Sequence, residues 1–330
     1  MTTSAHTIST CSRFENVEPS IMRLLELSRL EWHYTKIILH FILDFFDYNT
    51  IIKTYQGISM SYIPLIARVD SLPPLPESIL KIEALFTHKD PDIEDIVKII
   101  ESDPSLTADI LAKVNAPIYG FSRSIISILQ AVTLFGSAQI RSIVLASSLN
   151  RSFDIDMSPY NITTYEFSKI SIMQSNLIFQ WYMAIDIDTA RNLTPIAFLM
   201  ETGKILIAKE ILENEKYEDF LADLQKYDDI SYVENKHTMM TSAQISALVF
   251  KQLNLNDTFS ESMSYLDNEH KIPDHIVDMV TALRVVRTVI NLKEHLTDSS
   301  IERGINIIEE NSLDVEAFKR AIKRIKTKYL

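Results

Sequence analysis

The stretch that decides the fold is LPPLPESILKI (72–82) followed by IIESDPSLTADILAKVNAPIYGFSRSIISILQAVTLFGSAQIRSIVLA (99–146). Three prolines in four positions, Pro73, Pro74 and Pro76, cannot lie inside a helix or a central strand. They read as an extended lead-in that opens a domain. Asp103 can cap the next turn, and Pro104 suits the first helical position. Leu106, Ile110, Leu111 and Val114 then recur at helical spacing. Asn115 to Gly120 breaks that helix, because Gly120 tolerates a left-handed turn. Ile125, Ile128, Leu129 and Val132 form another stripe, which ends at Gly136, and Ile140, Ile143 and Val144 begin the next helix. Five short helices are expected between residues 73 and 150.

Outward from this stretch the chain stays helical. Residues 1 to 18 are polar and without period, and 20–55 carry an apolar stripe of Tyr34, Ile37, Ile38, Phe41 and Phe45. After a polar break at 151–163, helices are expected over 164–184, 193–213, 215–227, 239–253 and 257–268. Pro273 opens a last region of about three helices, the final one striped by Val315, Phe318, Ile322 and Ile325.

Composition agrees. The chain has 330 residues, and 46% are hydrophobic and 23% charged, as in a folded globular protein. Glycine occurs only 5 times, which starves hairpins and phosphate loops. No Gly-x-Gly-x-x-Gly or Walker sequence occurs. The net charge of −12 does not favour wrapping nucleic acid. The single cysteine, Cys11, excludes an internal disulfide and a cysteine-cluster metal site. The polar N-terminus carries no signal core, and the apolar stretch 37–46 is too short and polar to span a bilayer. A cytoplasmic location is the expectation.

From Leu72 to about Leu266 the sequence resembles the HDOD (HD-related output domain) family of bacterial signalling proteins. Asp103, Pro104, Leu106, Asn115, Tyr119, Gly120, Ala131, Gly136 and Arg141 match its pattern in order, with Ala116 where many members have serine. The resemblance implies an all-α, HD-like bundle with an N-terminal five-helix subdomain and flanking helices. It divides the chain into an N-terminal extension (1–70), an HDOD domain (71–270) and a C-terminal helical extension (271–330).

The parent HD superfamily comprises metal-dependent phosphohydrolases, in which His and Asp residues hold divalent metals that activate water. Here the adjacent His-Asp position reads Met200-Glu201, before Gly203-Lys204. Methionine sulfur is a poor substitute for imidazole at such a metal. The resemblance places a first histidine near Phe167–Ser171, a later one at Ser242 and the last near Tyr265–Asp267. None of the eight histidines falls in these slots. Met200, Glu201, Lys204 and Ser242 therefore mark a relict pocket. The resemblance implies a non-catalytic regulatory module that acts through protein contacts, with no cofactor; self-association stays open. The alternative is a metal-dependent phosphohydrolase with rearranged ligands.

Plainer readings stand beside these. Glu201 and Lys204, three apart, share a helix face and read as an ion pair worth well under about 1 kcal/mol if exposed. Asp103 reads as a cap, and Asn115 as a helix end bonding local backbone. Arg141 faces either a partner or an acid. His237 reads as a surface residue, and His270 with His275 has the wrong spacing for one helix face. Lys319, Arg320, Lys323, Arg324, Lys326 and Lys328 put six cations within ten residues. They form a candidate basic interaction face for a membrane, a nucleic acid or an acidic protein, or else a solvated surface beside the helix C-terminus.

Overall fold

Proline and side-chain caps decide where the helices begin. Helix α1 (Ile63–Asp70) ends before the proline lead-in, and α2 (Glu77–Leu85) starts directly after Pro76. Asp92 caps α3 (Ile93–Glu101). Asp103 accepts the Leu106 amide at 3.0 Å and so caps α4 (Pro104–Val114). A 3₁₀ turn over Pro117–Tyr119 ends on Gly120 at φ 67°, in the left-handed region. Ser127 caps α5 (Ile128–Phe135), and Gly136 at φ 79° turns the chain into α6 (Ser137–Ser152). Helices α2 to α6 are the expected five-helix subdomain.

This computed structural model describes residues 63–87, 91–152, 155–268 and 271–329, within a compact unit spanning Ser61–Leu330. The tail expected over 1–18, the helix expected over 20–55, Cys11 and His6, His33, His40, His88 and His270 lie outside the described residues.

The second layer departs from expectation in two places. Helix α7 (Thr164–Tyr182) starts from a Thr163/Glu166 capping box. The single helix expected over 193–213 is two helices, α8 (Ile187–Leu199) and α9 (Thr202–Glu213). The Ser246 hydroxyl explains the break: it accepts the Gly203 amide at 2.8 Å and donates to the Met200 carbonyl at 3.1 Å. Both backbone groups are satisfied by a neighbouring helix, so the chain can turn there. After α10 (Tyr217–Lys226) comes an unexpected helix, α11 (Ile230–Thr238), which ends on Met239 at φ 62°. Helix α12 (Ser242–Gln252) therefore starts three residues later than expected, on a Thr241/Gln244 capping box. Helix α13 (Asp257–Ser264) follows.

The last region holds the expected three helices, α14 (Val277–Val289), α15 (Asp298–Glu310) and α16 (Val315–Tyr329). Helix α7 runs through the centre, in contact with α8, α14 and α16. Its Ile170, Met173, Leu177, Ile178 and Trp181 are buried. Each such side chain contributes about 1.5–3 kcal/mol relative to exposure. Helix α16 lays Ala317, Phe318, Ala321, Ile322 and Ile325 on this core, and the Trp181 indole N–H donates to the Asp314 carbonyl at 3.1 Å. No β-sheet forms among the described residues, and no single helix among them is long and apolar enough to cross a membrane.

Helices α9 and α12 approach so closely that a Cβ on Gly203 would meet the Ser242 carbonyl oxygen at 2.0 Å. Backbone cannot yield as a flexible side chain would. Gly203→Ala is expected to destabilise the fold by about 3 kcal/mol or more. Urea unfolding measures this, and a loss under about 1 kcal/mol would contradict the packing described.

Candidate functional site

Glu201 and Lys204 lie at the break between α8 and α9, and both are almost wholly buried, at 1% and 2% exposure. This corrects the reading of a weak exposed pair. The Lys204 ammonium lies 3.1 Å from Glu201 Oε2 and donates to Glu234 Oε1 and to Ser242 Oγ, each at 2.7 Å. Glu234, on α11, is fully buried. It also accepts the Ser242 amide at 2.6 Å and the Tyr160 hydroxyl at 3.0 Å. Gln174, on α7, donates to Glu201 Oε1 at 3.0 Å and to the Ile290 carbonyl at 2.9 Å.

A second cation closes the cluster. Arg287, on α14, places Nε 3.5 Å from Glu201 Oε1 and Nη1 2.5 Å from Asp267 Oδ1. It also donates to Ser242 Oγ at 3.2 Å. Three carboxylates thus face two cations: Lys204, Glu234 and Arg287 come from α9, α11 and α14, Glu201 and Asp267 from turns, and α7 and α12 add the neutral partners Gln174 and Ser242. Burial alone would push the Glu201 carboxyl up, but the Lys204 and Arg287 charges outweigh it and hold the carboxyl at about 2. Asp267 is lowered in the same way, its desolvation outweighed by Arg287. The Arg287 pKa is raised: desolvation opposes its charge, and Asp267 and Glu201 more than compensate.

A divalent metal fits this donor set poorly. The lone pairs of Glu201 and Glu234 that would hold it already face an ammonium, which repels a second cation. Met200 is buried, and its backbone carbonyl is engaged by Ser246. The slot near Phe167–Ser171 offers no imidazole, and no group of three His, Cys, Asp or Glu residues with metal-binding geometry occurs among the described residues.

The remaining candidates sit apart from this cluster. Asn115 clamps the following loop, donating to the Leu111 and Ile125 carbonyls and accepting the Ile125 amide, each at 2.8 Å. Tyr119 packs edge-on against Phe135 at 4.7 Å between ring centroids. Arg141 is buried and grips Glu83 through Nε at 2.8 Å and Nη2 at 2.6 Å, with its guanidinium over the Phe86 and Phe259 rings. It ties α6 to α2 and α13. His237 is mostly covered rather than superficial, bonded to Asp223 at 2.6 Å and edge-on to Phe220. His275 pairs with Glu261 at 3.1 Å.

On α16, Lys319 pairs with Glu316, Lys326 with Asp298, and Arg324 donates to the Gln180 side chain. Arg320 and Lys323 are exposed. Sequence reasoning left Tyr160, Gln174, Glu234 and Arg287 unassigned. Only the absence of charge partners nearby in sequence could have flagged Arg287.

The HDOD domain family profile matches residues 72–269. Among solved structures, a virulence factor from Campylobacter jejuni subsp. jejuni is 25% identical, with a TM-score of 0.52 over 82% of this chain and 100% of its own. A protein of Marinobacter aquaeolei VT8 provisionally described as acting in signal transduction is 19% identical, with a TM-score of 0.62 over 79% of this chain and 58% of its own. A protein of Shewanella amazonensis SB2B provisionally described as a phosphohydrolase is 16% identical, with a TM-score of 0.58 over 82% and 95%. An uncharacterized protein of Treponema pallidum (strain Nichols) is 29% identical over 84 residues, 26% of this chain. That match spans only 16% of the relative's length.

Two outcomes follow from the cluster. Lys204→Met leaves Glu201 and Glu234 buried without their ammonium and is expected to cost roughly 3–5 kcal/mol in urea unfolding; a cost below 1 kcal/mol would refute the arrangement. The Glu201 carboxyl titrates lower in the folded state, at about 2, than its ordinary 4.5. Its stabilisation is therefore complete above about pH 4.5 and fades as pH falls towards 2. Glu201→Gln should flatten that acid limb of the stability curve, and an unchanged limb would contradict the assignment.

Proposed function

Because this chain belongs to the HDOD family, we propose that it is a non-catalytic signalling module whose ancestral metal site has been replaced by an internal ion cluster and which acts through protein contacts. The observation that carries this reading is the Lys204 ammonium, buried between Glu201, Glu234 and Ser242. It supplies positive charge where a hydrolytic relative would need a Lewis acid. An ammonium can balance carboxylates, but it offers no open coordination position for water. Ser242 stands at a superfamily ligand slot and accepts from both cations, which supports the same reading.

Contact with a partner has support elsewhere on the surface. Ile126, in the loop before α5, and Leu129, in its first turn, are 81% and 53% exposed. Such exposed apolar side chains offer contact points for a partner, which supports the reading. The Asn115 clamp fixes the loop that presents Ile126, so the surface is ordered before any partner arrives.

The test is metal content together with turnover. Purified protein, incubated with manganese, iron or zinc and then desalted, is expected to retain substoichiometric metal. It should turn over neither bis(p-nitrophenyl) phosphate nor cyclic dinucleotides above background. Stoichiometric metal, with turnover lost in Glu201→Gln, would overturn the proposal and establish the phosphohydrolase reading.

A further inference from the structure

The positive charge of α16 is concentrated and held in place. Six cations fall between Lys319 and Lys328 with no acid among them. Arg320, Arg324 and Lys328, four residues apart, share one exposed row, and Lys319 and Lys323 run beside it. Members of a row are about 6 Å apart along the helix axis. Arg320 and Lys323 have no acid partner among the described residues. Arg324 donates to the neutral Gln180 side chain and keeps its charge. The pairs of Lys319 with Glu316 and of Lys326 with Asp298 lie at the surface and are worth little, so an incoming anion can displace them.

The C-terminal end of this row meets an aromatic cluster. The Lys328 ammonium lies 5.9 Å from the centre of the Tyr119 ring, Tyr119 packs on Phe135, and Phe135 lies 5.5 Å from Phe121. The Phe121 side chain is 45% exposed, and Arg123, two residues on, is exposed as well.

These features select among polyanions. A basic amphipathic helix enters a bilayer by its apolar side, and here Phe318, Ile322 and Ile325 are spent on the protein's own core. The carboxylates of an acidic protein would answer the cations but leave the aromatic cluster without a role. A nucleic-acid strand uses both: its phosphates answer the cation rows, and an unpaired base stacks on Phe121. The bases of a duplex are already stacked and paired, so they are closed to that ring. We infer that α16 and the Tyr119–Phe121 loop bind a short run of single-stranded nucleic acid, its phosphates along Arg320, Lys323 and Arg324 and a base on Phe121. The net charge of −12 repels a polyanion from the rest of the surface and confines it to this face. The face shares no side chain with the Glu201–Lys204 cluster, so the inference is independent of the metal question.

Fluorescence anisotropy of the full chain with a labelled oligouridylate of roughly ten nucleotides tests this. Saturable binding is expected, with log K falling against log salt at a slope of about −2 to −3. Arg320→Gln/Lys323→Gln should weaken it at least tenfold and make the slope shallower by about 1.4. Phe121→Leu, which keeps the apolar contact with Phe135, should weaken it about tenfold at unchanged slope, and Phe121→Tyr should retain it. Thermal unfolding of all three variants should match that of the parent. Absence of saturable binding, equal affinity for a duplex of the same length, or full affinity in Phe121→Leu would each overturn the inference. Displacement by poly-glutamate as effective as by unlabelled oligouridylate would overturn it too, and would assign the face to an acidic protein.

Discussion

The second layer is organised around one ammonium group. Taking Lys204, Glu201 and Glu234 out of water costs several kcal/mol per ion. That cost is offset by the ion pairs and hydrogen bonds around Lys204, Glu234 and Ser242, although Glu201 Oε2 and Gln174 Oε1 accept no hydrogen bond. The partners come from α7, α9, α11, α12 and α14, so these helices can take only relative positions that satisfy all the charges together. Apolar packing supplies the stability of such a body, whereas a buried polar network is better suited to specifying one arrangement. The turn between α8 and α9, the close approach at Gly203 and the short α11 all serve to bring this cluster together.

Much of the fold is legible in the sequence because its signals are local. Pro104, Gly120 and Gly136 each act within a few residues, and the five-helix subdomain follows from them. What fails is what depends on distant partners. Residues 193–213 carry an unbroken helical pattern, and the break at Met200–Glu201 is stabilised by Ser246 more than forty residues away. Helix α11 carries a weak apolar face; its start is capped locally by Asp229, and its burial of Val233 and Glu234 depends on distant partners.

The candidate site shows the same division. The spacing of Glu201 and Lys204 reveals that they can meet, because i and i+3 share a face. It does not reveal depth, and depth separates a negligible pair from a cluster whose disruption costs several kcal/mol. Arg141 presents the same problem: its partners Glu83 and Phe259 lie on either side of it in sequence, far beyond any helical period. The basic stripe of α16 is different. Its cations are plain in the sequence, and its apolar side is consumed by the protein's own Trp181 and its neighbours on α7.

Arg287 lies eighteen residues past the end of the family match, yet its guanidinium balances Glu201 and Asp267, which lie inside it. The family-matched segment is therefore not electrically self-sufficient. A chain that inherited residues 72–269 alone would carry an excess of buried negative charge, so grafting this module onto another protein means transplanting α14 with it or inventing a substitute counter-ion.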